Sequence, residues 1–143
     1  MNKTAKDLMH NITVVPADTT VQEAAELMAK KNIGSVIVEV DGKLEGILTE
    51  RDILKKVTAK ALDPKKIGVT DLMSSPLKTI NADADIYEIA QFFRESNIRR
   101  LPVKEKGKIL GVLTTRDVTR ALIPNFYRDN PLFKEIKDYR KEG

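Results

Sequence analysis

The sequence predicts a mixed α/β (α+β) fold: two tandem β-α-β-β-α repeats related by pseudo-two-fold symmetry, followed by a C-terminal extension that is helical. Three observations predict it. Met9, Val21-Gln22-Glu23-Ala24-Ala25, Asn32-Ile33, Asp41-Gly42-Lys43 and Gly46-Ile47-Leu48-Thr49-Glu50-Arg51-Asp52 set an order that the chain then repeats. It returns about 65 positions later as Met73, Ile86-Tyr87-Glu88-Ile89-Ala90, Asn97-Ile98, Lys106-Gly107-Lys108 and Gly111-Val112-Leu113-Thr114-Thr115-Arg116-Asp117. Within each copy a stretch of helical period gives way to stretches rich in β-branched residues. A two-residue turn signal, Asp41-Gly42, separates two of the latter. Units this short bury little core alone, so the two are expected to fold against each other with a cleft between them.

Each element has a local cause. Thr13-Val14-Val15 before Pro16 predicts a short strand, and Thr20-Val21-Gln22-Glu23 is a capping box. Val21, Ala24, Ala25, Leu27 and Met28 follow at helical spacing, so a helix is expected over 21–31. Ser35-Val36-Ile37-Val38-Glu39-Val40 predicts a strand, Asp41-Gly42 a hairpin turn, and Leu44 to Leu48 the returning strand. Thr49-x-x-Asp52 opens a helix carrying Ile53, Leu54 and Val57. Residues 58–69, with Asp63-Pro64, form the connection, and Thr70-Asp71-Leu72-Met73 matches Lys6-Asp7-Leu8-Met9 as a short lead-in helix.

The second repeat copies this plan with a strand at Thr79-Ile80 and a helix from Ile86 to about Glu95, opened by Asp85-x-x-Glu88. Strands near Leu101–Lys104 and Ile109–Leu113 and a helix from Thr115 complete it. The boundaries expected from the repeat are 1–62, 63–123 and an extension over 124–143. In that extension Asn130-Pro131 has the form of an N-cap followed by proline, and Leu132, Phe133, Ile136 and Tyr139 line one helical face. That face is expected to pack on its own domain or on a dimer mate.

Composition narrows the function classes. Of 143 residues, 41% are hydrophobic and 32% charged, which suits one globular domain. No apolar run approaches the roughly 20 residues that cross a bilayer, and Met1–Asp7 lacks a signal-peptide apolar region, so a cytoplasmic protein without a membrane partner is expected. With no cysteine and a single histidine, His10, the chain offers no thiol nucleophile and no metal cluster; no catalytic or metal-ligating set is expected, and His10 is expected to be a surface or boundary residue. The net charge of +4 comes partly from Lys55, Lys56, Lys60, Lys65 and Lys66 around the connection. Without interleaved aromatics these predict a solvated segment before a nucleic-acid surface.

The two units resemble CBS domains, the paired module called a Bateman module. The resemblance rests on Asp7-Leu8-Met9 and Asp71-Leu72-Met73 before the first strands and on Leu101-Pro102-Val103 in a middle strand. It rests above all on Gly46-x-x-Thr49-x-x-Asp52 and Gly111-x-x-Thr114-x-x-Asp117 entering the last helices. As local structure the two Thr-x-x-Asp segments are helix caps. The resemblance adds an adenosine-nucleotide site: threonine bonding phosphate at the helix start, ionised aspartate accepting the ribose hydroxyls, and Arg51 or Arg116 neutralising phosphate.

Similar proteins draw each site from both repeats. Carried over by position, one site joins Thr114, Arg116 and Asp117 to Asn11, Thr13, Ile33, Gly34 and Ser35, and the other joins Thr49, Arg51 and Asp52 to Pro76, Lys78, Ile98, Arg99 and Arg100. Ile33 and Ile98 suit an apolar contact with a purine. The Asp52 set is richer in cations, which favours ATP or ADP there, while Gly34 and Ser35 suit AMP in the Asp117 set. Ile37 stands where the second repeat has Pro102, so the two sites are not expected to be equivalent. The resemblance thus implies a stand-alone, non-enzymatic regulator that binds AMP, ADP or ATP, needs no resident cofactor, and forms a homodimer with a protein partner still to be identified. S-adenosylmethionine and a nicotinamide dinucleotide remain open as ligands. Two rival readings also remain open: an interaction module with vestigial ligand sites, and nucleic-acid binding through the basic connection.

Overall fold

A computed structural model describes residues 3–122, so the helix expected within 124–143 lies outside the described residues. The elements are α1 (Ala5–Leu8), β1 (Val14–Pro16), α2 (Val21–Lys31), β2 (Ser35–Val40), β3 (Lys43–Thr49), α3 (Glu50–Lys56), α4 (Val69–Leu72), β4 (Ile80–Asn81), α5 (Ile86–Glu95), β5 (Arg100–Glu105), β6 (Lys108–Thr114) and α6 (Thr115–Leu122). Two 3-10 turns, Thr58–Lys60 and Pro64–Lys66, lie in the connection.

Each repeat builds one three-stranded sheet, β1-β2-β3 or β4-β5-β6, whose middle strand pairs parallel with the first strand and antiparallel with the third. The hairpins turn on two residues of positive φ, Asp41 (51°) with Gly42 (79°) and Lys106 (49°) with Gly107 (81°). Turns of this kind carry the twist of the strands they join. Asp41-Gly42 suits it by composition; Lys106 adopts it under the register of β5 on β6, which pairs Glu105 with Lys108.

Ile37 and Pro102 make the sheets unequal. Ile37 donates its N–H to the Thr13 carbonyl at 2.8 Å and pairs with Val14, so the parallel ladder runs from Val14 to Pro16. Proline has no N–H to give. In the second sheet the ladder accordingly starts one pair later, at Ile80 opposite Val103, and β4 is two residues long.

The chain packs as two units that differ from the run of the repeats. Among the described residues one comprises 11–79, and the other joins 3–10 to 80–122. The lead-in helices are exchanged: α4 closes the first repeat and α1 closes the second. Val69 and Leu72 are buried with Val15, Val21, Ala24, Met28, Val36, Val38, Leu48 and Val57. Ala5 is buried with Ile80, Ala82, Ala84, Ile86, Ile89, Leu101, Val103, Leu113 and Val118. Backbone bonds fix both arrangements. Val21 N–H donates to Ile67 and Val69 N–H to Thr19, while Ala5 and Lys6 donate to Ala84 and Ala82. Sequence similarity marks where a repeat recurs along the chain; which core a lead-in helix completes is decided by these bonds.

Candidate functional site

Each Gly-x-x-Thr-x-x-Asp motif is one local device. The glycine makes room for the methionine that ends a lead-in helix: a Cβ on Gly111 would lie 2.7 Å from the His10 carbonyl and 2.8 Å from Met9 Cγ, and one on Gly46 would meet Met73. That close approach lets His10 pair with Val112 on β6, and Ser74 with Ile47 on β3. The strand then runs into the threonine that caps the following helix.

The caps are reciprocal and nearly superimposable. The Thr49 N–H and hydroxyl donate to Asp52 Oδ2 at 2.9 and 3.0 Å, and Asp52 N–H returns a bond to Thr49 Oγ1 at 3.2 Å. Thr114 and Asp117 repeat this at 2.8, 2.9 and 3.3 Å. Each threonine hydrogen is therefore spent on its own aspartate. In this arrangement the hydroxyl fixes the carboxylate; contact with a phosphate would require it to turn away.

The remaining carboxylate oxygens differ. Asp52 Oδ1 lies 3.3 Å from the ammonium of Lys56, one turn further along α3. Asp117 Oδ1 instead accepts from Nε2 of His10. By repeat register the Lys56 position is Ala121 in α6, and the His10 position is Ser74. The expectation of a surface histidine holds for exposure, since its side chain is 63% exposed, but it missed this contact. The sequence carried no signal for it, because the contact depends on α1 closing the second repeat, where His10 pairs with Val112.

The other expected residues divide between the units. In the unit of residues 11–79, Gly34 O accepts the Glu50 N–H at 3.0 Å and Ser35 pairs with Thr49, so Ile33, Gly34 and Ser35 adjoin the start of α3. Thr13 is tied to Ile37, Asn11 is exposed, and Pro76 and Lys78 are exposed beyond the Ser74 bridge. In the other unit, Arg99 O accepts the Thr115 N–H at 3.1 Å and Arg100 pairs with Thr114, so Ile98, Arg99 and Arg100 adjoin the start of α6. Arg51, Arg99 and Arg116 are exposed. A depression of about 580 Å³ lies elsewhere, along β1 and the first hairpin, and Asp18, Glu39 and Asp41 in its wall make it unfit for a phosphate.

A family model for the CBS domain matches residues 5–59 and 69–124. The chain belongs to the CBS-domain family. It is 34% identical over 121 residues to hypoxic response protein 1 of Mycobacterium tuberculosis, covering 83% of this chain and 85% of that one. A conserved protein of Pyrococcus horikoshii has a crystal structure that matches this CBS pair with a TM-score of 0.78 at 31% identity, over 85% of this chain and 93% of that one. A hexameric CBS-CP12 protein from bloom-forming cyanobacteria matches with a TM-score of 0.78 at 30% identity, over 99% and 85%. CBS pairs are in general regulatory modules that can bind adenosine ligands, and proteins made only of CBS domains are typically non-enzymatic. Among the described residues no helix is long and apolar enough to cross a membrane.

Proposed function

We propose that this CBS pair is a sensor that binds an adenine nucleotide, with Asp52 and Asp117 accepting the ribose hydroxyls of two separate sites. The observation that carries the reading is the pair of reciprocal caps: two carboxylates, each fixed by its own threonine at the start of a helix. A carboxylate held in place is a fitting acceptor for a vicinal diol. The Asp117 site takes Thr114, Arg116 and Asp117 with Asn11, Thr13, Ile33, Gly34 and Ser35. The Asp52 site takes Thr49, Arg51 and Asp52 with Pro76, Lys78, Ile98, Arg99 and Arg100. Its cations favour ADP or ATP, and the smaller residues of the other favour AMP. A nucleotide becomes a signal only if it binds two states of the protein unequally; a homodimer supplies an interface on which such states can differ.

The test is a thermal-shift panel of AMP, ADP, ATP, S-adenosylmethionine, NAD and GTP. At a ligand concentration 100 times Kd, binding stabilises by about 2.7 kcal/mol and raises Tm by about 5–10 °C. The reading expects the shift with an adenine nucleotide; no shift with any adenosine compound at millimolar concentration overturns it.

A further inference from the structure

Asp117 is the more enclosed of the two carboxylates, its side chain 7% exposed against 18% for Asp52, and its oxygens are divided between two partners. Oδ2 takes both donors of Thr114. Oδ1 takes His10, the chain's single histidine. An ionised carboxylate only accepts, so Nε2 carries the hydrogen in this contact. A carboxylate offers about four lone-pair positions; with three filled, a vicinal diol bringing two O–H donors must displace one of the present partners. The exposed imidazole is the partner able to leave, because Thr114 is bound into the helix cap.

We infer that His10 is a displaceable competitor for the diol-binding oxygen of Asp117, an inference that rests on the nucleotide reading above. Its consequence is a site whose affinity is held down by the imidazole: removing that side chain frees the oxygen and tightens the ligand. The counterpart at Asp52 is Lys56, so the two sites differ in the group a diol must displace. On the elements packed against the pair, Lys6 reaches Glu105 at 3.3 Å, Asp7 accepts from Thr4, and Arg100 of β5, which pairs with Thr114, is itself engaged.

The test titrates AMP, at one fixed pH, into the full-length Asp52→Ala protein, which keeps Asp117 as the only diol acceptor, with and without His10→Ala. The His10→Ala protein binds AMP about two- to fivefold more tightly than its parent, the range for a contact with an exposed partner. His10→Gln, which keeps a donor at this position, gives a smaller gain than His10→Ala. The backbone bonds between His10 and Val112, at 2.9 Å in each direction, survive both substitutions. Equal or weaker AMP binding by His10→Ala overturns the inference. If these proteins and the wild type bind no adenine nucleotide, the nucleotide reading falls and this inference with it. If they bind with an affinity indifferent to His10, the nucleotide reading stands and this inference alone fails.

Discussion

Lys56 and Asp52 face each other across one turn of α3 at 3.3 Å, and the same ammonium donates to the Leu72 carbonyl at 3.0 Å. One side chain thus steadies the carboxylate and ties α3 to the end of α4, the lead-in helix that completes this core. Lys56→Met keeps the stem and removes both bonds. The half-exposed ammonium makes the ion pair the smaller part of the loss. A stability decrease of about 0.5–1.5 kcal/mol is expected, read as a lower urea midpoint with an unchanged m-value. An unchanged midpoint would show that Lys56 is a solvated charge.

Gly111→Ala puts a Cβ against backbone, the His10 carbonyl, as well as against Met9. Overpacking of this kind costs about 1–3 kcal/mol, and here it also pushes His10 away from Asp117. Thermal unfolding measures the cost. A melting temperature equal to that of the wild type would mean that the lead-in segment does not approach β6 as closely as described.

Lys106 holds a φ of 49° in the turn that Asp41 occupies in the other hairpin. Asparagine adopts this conformation more readily than lysine. Lys106→Asn is therefore expected to stabilise the protein by about 0.5–1 kcal/mol in urea unfolding. A loss of stability would contradict the turn geometry.

Asp7 accepts the N–H and hydroxyl of Thr4, at 2.9 and 3.0 Å, and the backbone bond, followed by the side-chain bond, lowers its carboxyl below the ordinary value. A lowered value in the folded state gives a contribution that is full above the unfolded value and lost as pH falls through the folded one. The stability gap between wild type and Asp7→Asn is thus expected to be constant near neutrality and to narrow below about pH 4. A gap that stays constant down to about pH 2.5 would show that Asp7 is no more stabilised than a free carboxylate.

Much of this fold was legible because its local signals agree. Thr20, whose side chain accepts the Glu23 N–H, starts α2 (Val21–Lys31) where its spacing predicts, and the β-branched run from Ser35 forms β2 (Ser35–Val40). The exchange of α1 and α4 was not legible. A four-residue helix such as Ala5–Leu8 carries the same apolar positions whichever core it joins, and only the bonds from Ala5 and Lys6 to Ala84 and Ala82 decide. At the candidate site the Thr-x-x-Asp caps were legible from spacing. The partners of the outer carboxylate oxygens were less so: Lys56 is four residues from Asp52, within reach of a helix rule, whereas His10 lies 107 residues from Asp117. Ile37 in place of Pro102 predicts a difference between the sites; what the structure shows is a difference between the sheets, and the missing N–H is the physical reason.

Calorimetry on the wild type, Asp52→Asn, Asp117→Asn and the double variant tests the central claim most directly, because asparagine keeps the shape of the cap and removes the anionic acceptor. The account predicts saturable binding of an adenine nucleotide by the wild type, loss of the ATP or ADP site in Asp52→Asn, retention of that site in Asp117→Asn, and no binding by the folded double variant. A double variant that binds as the wild type does would contradict the assignment of the two aspartates. Loss of ATP binding in Asp117→Asn with none in Asp52→Asn would show that pocket shape, and not the cations assigned to the Asp52 site, selects the ligand.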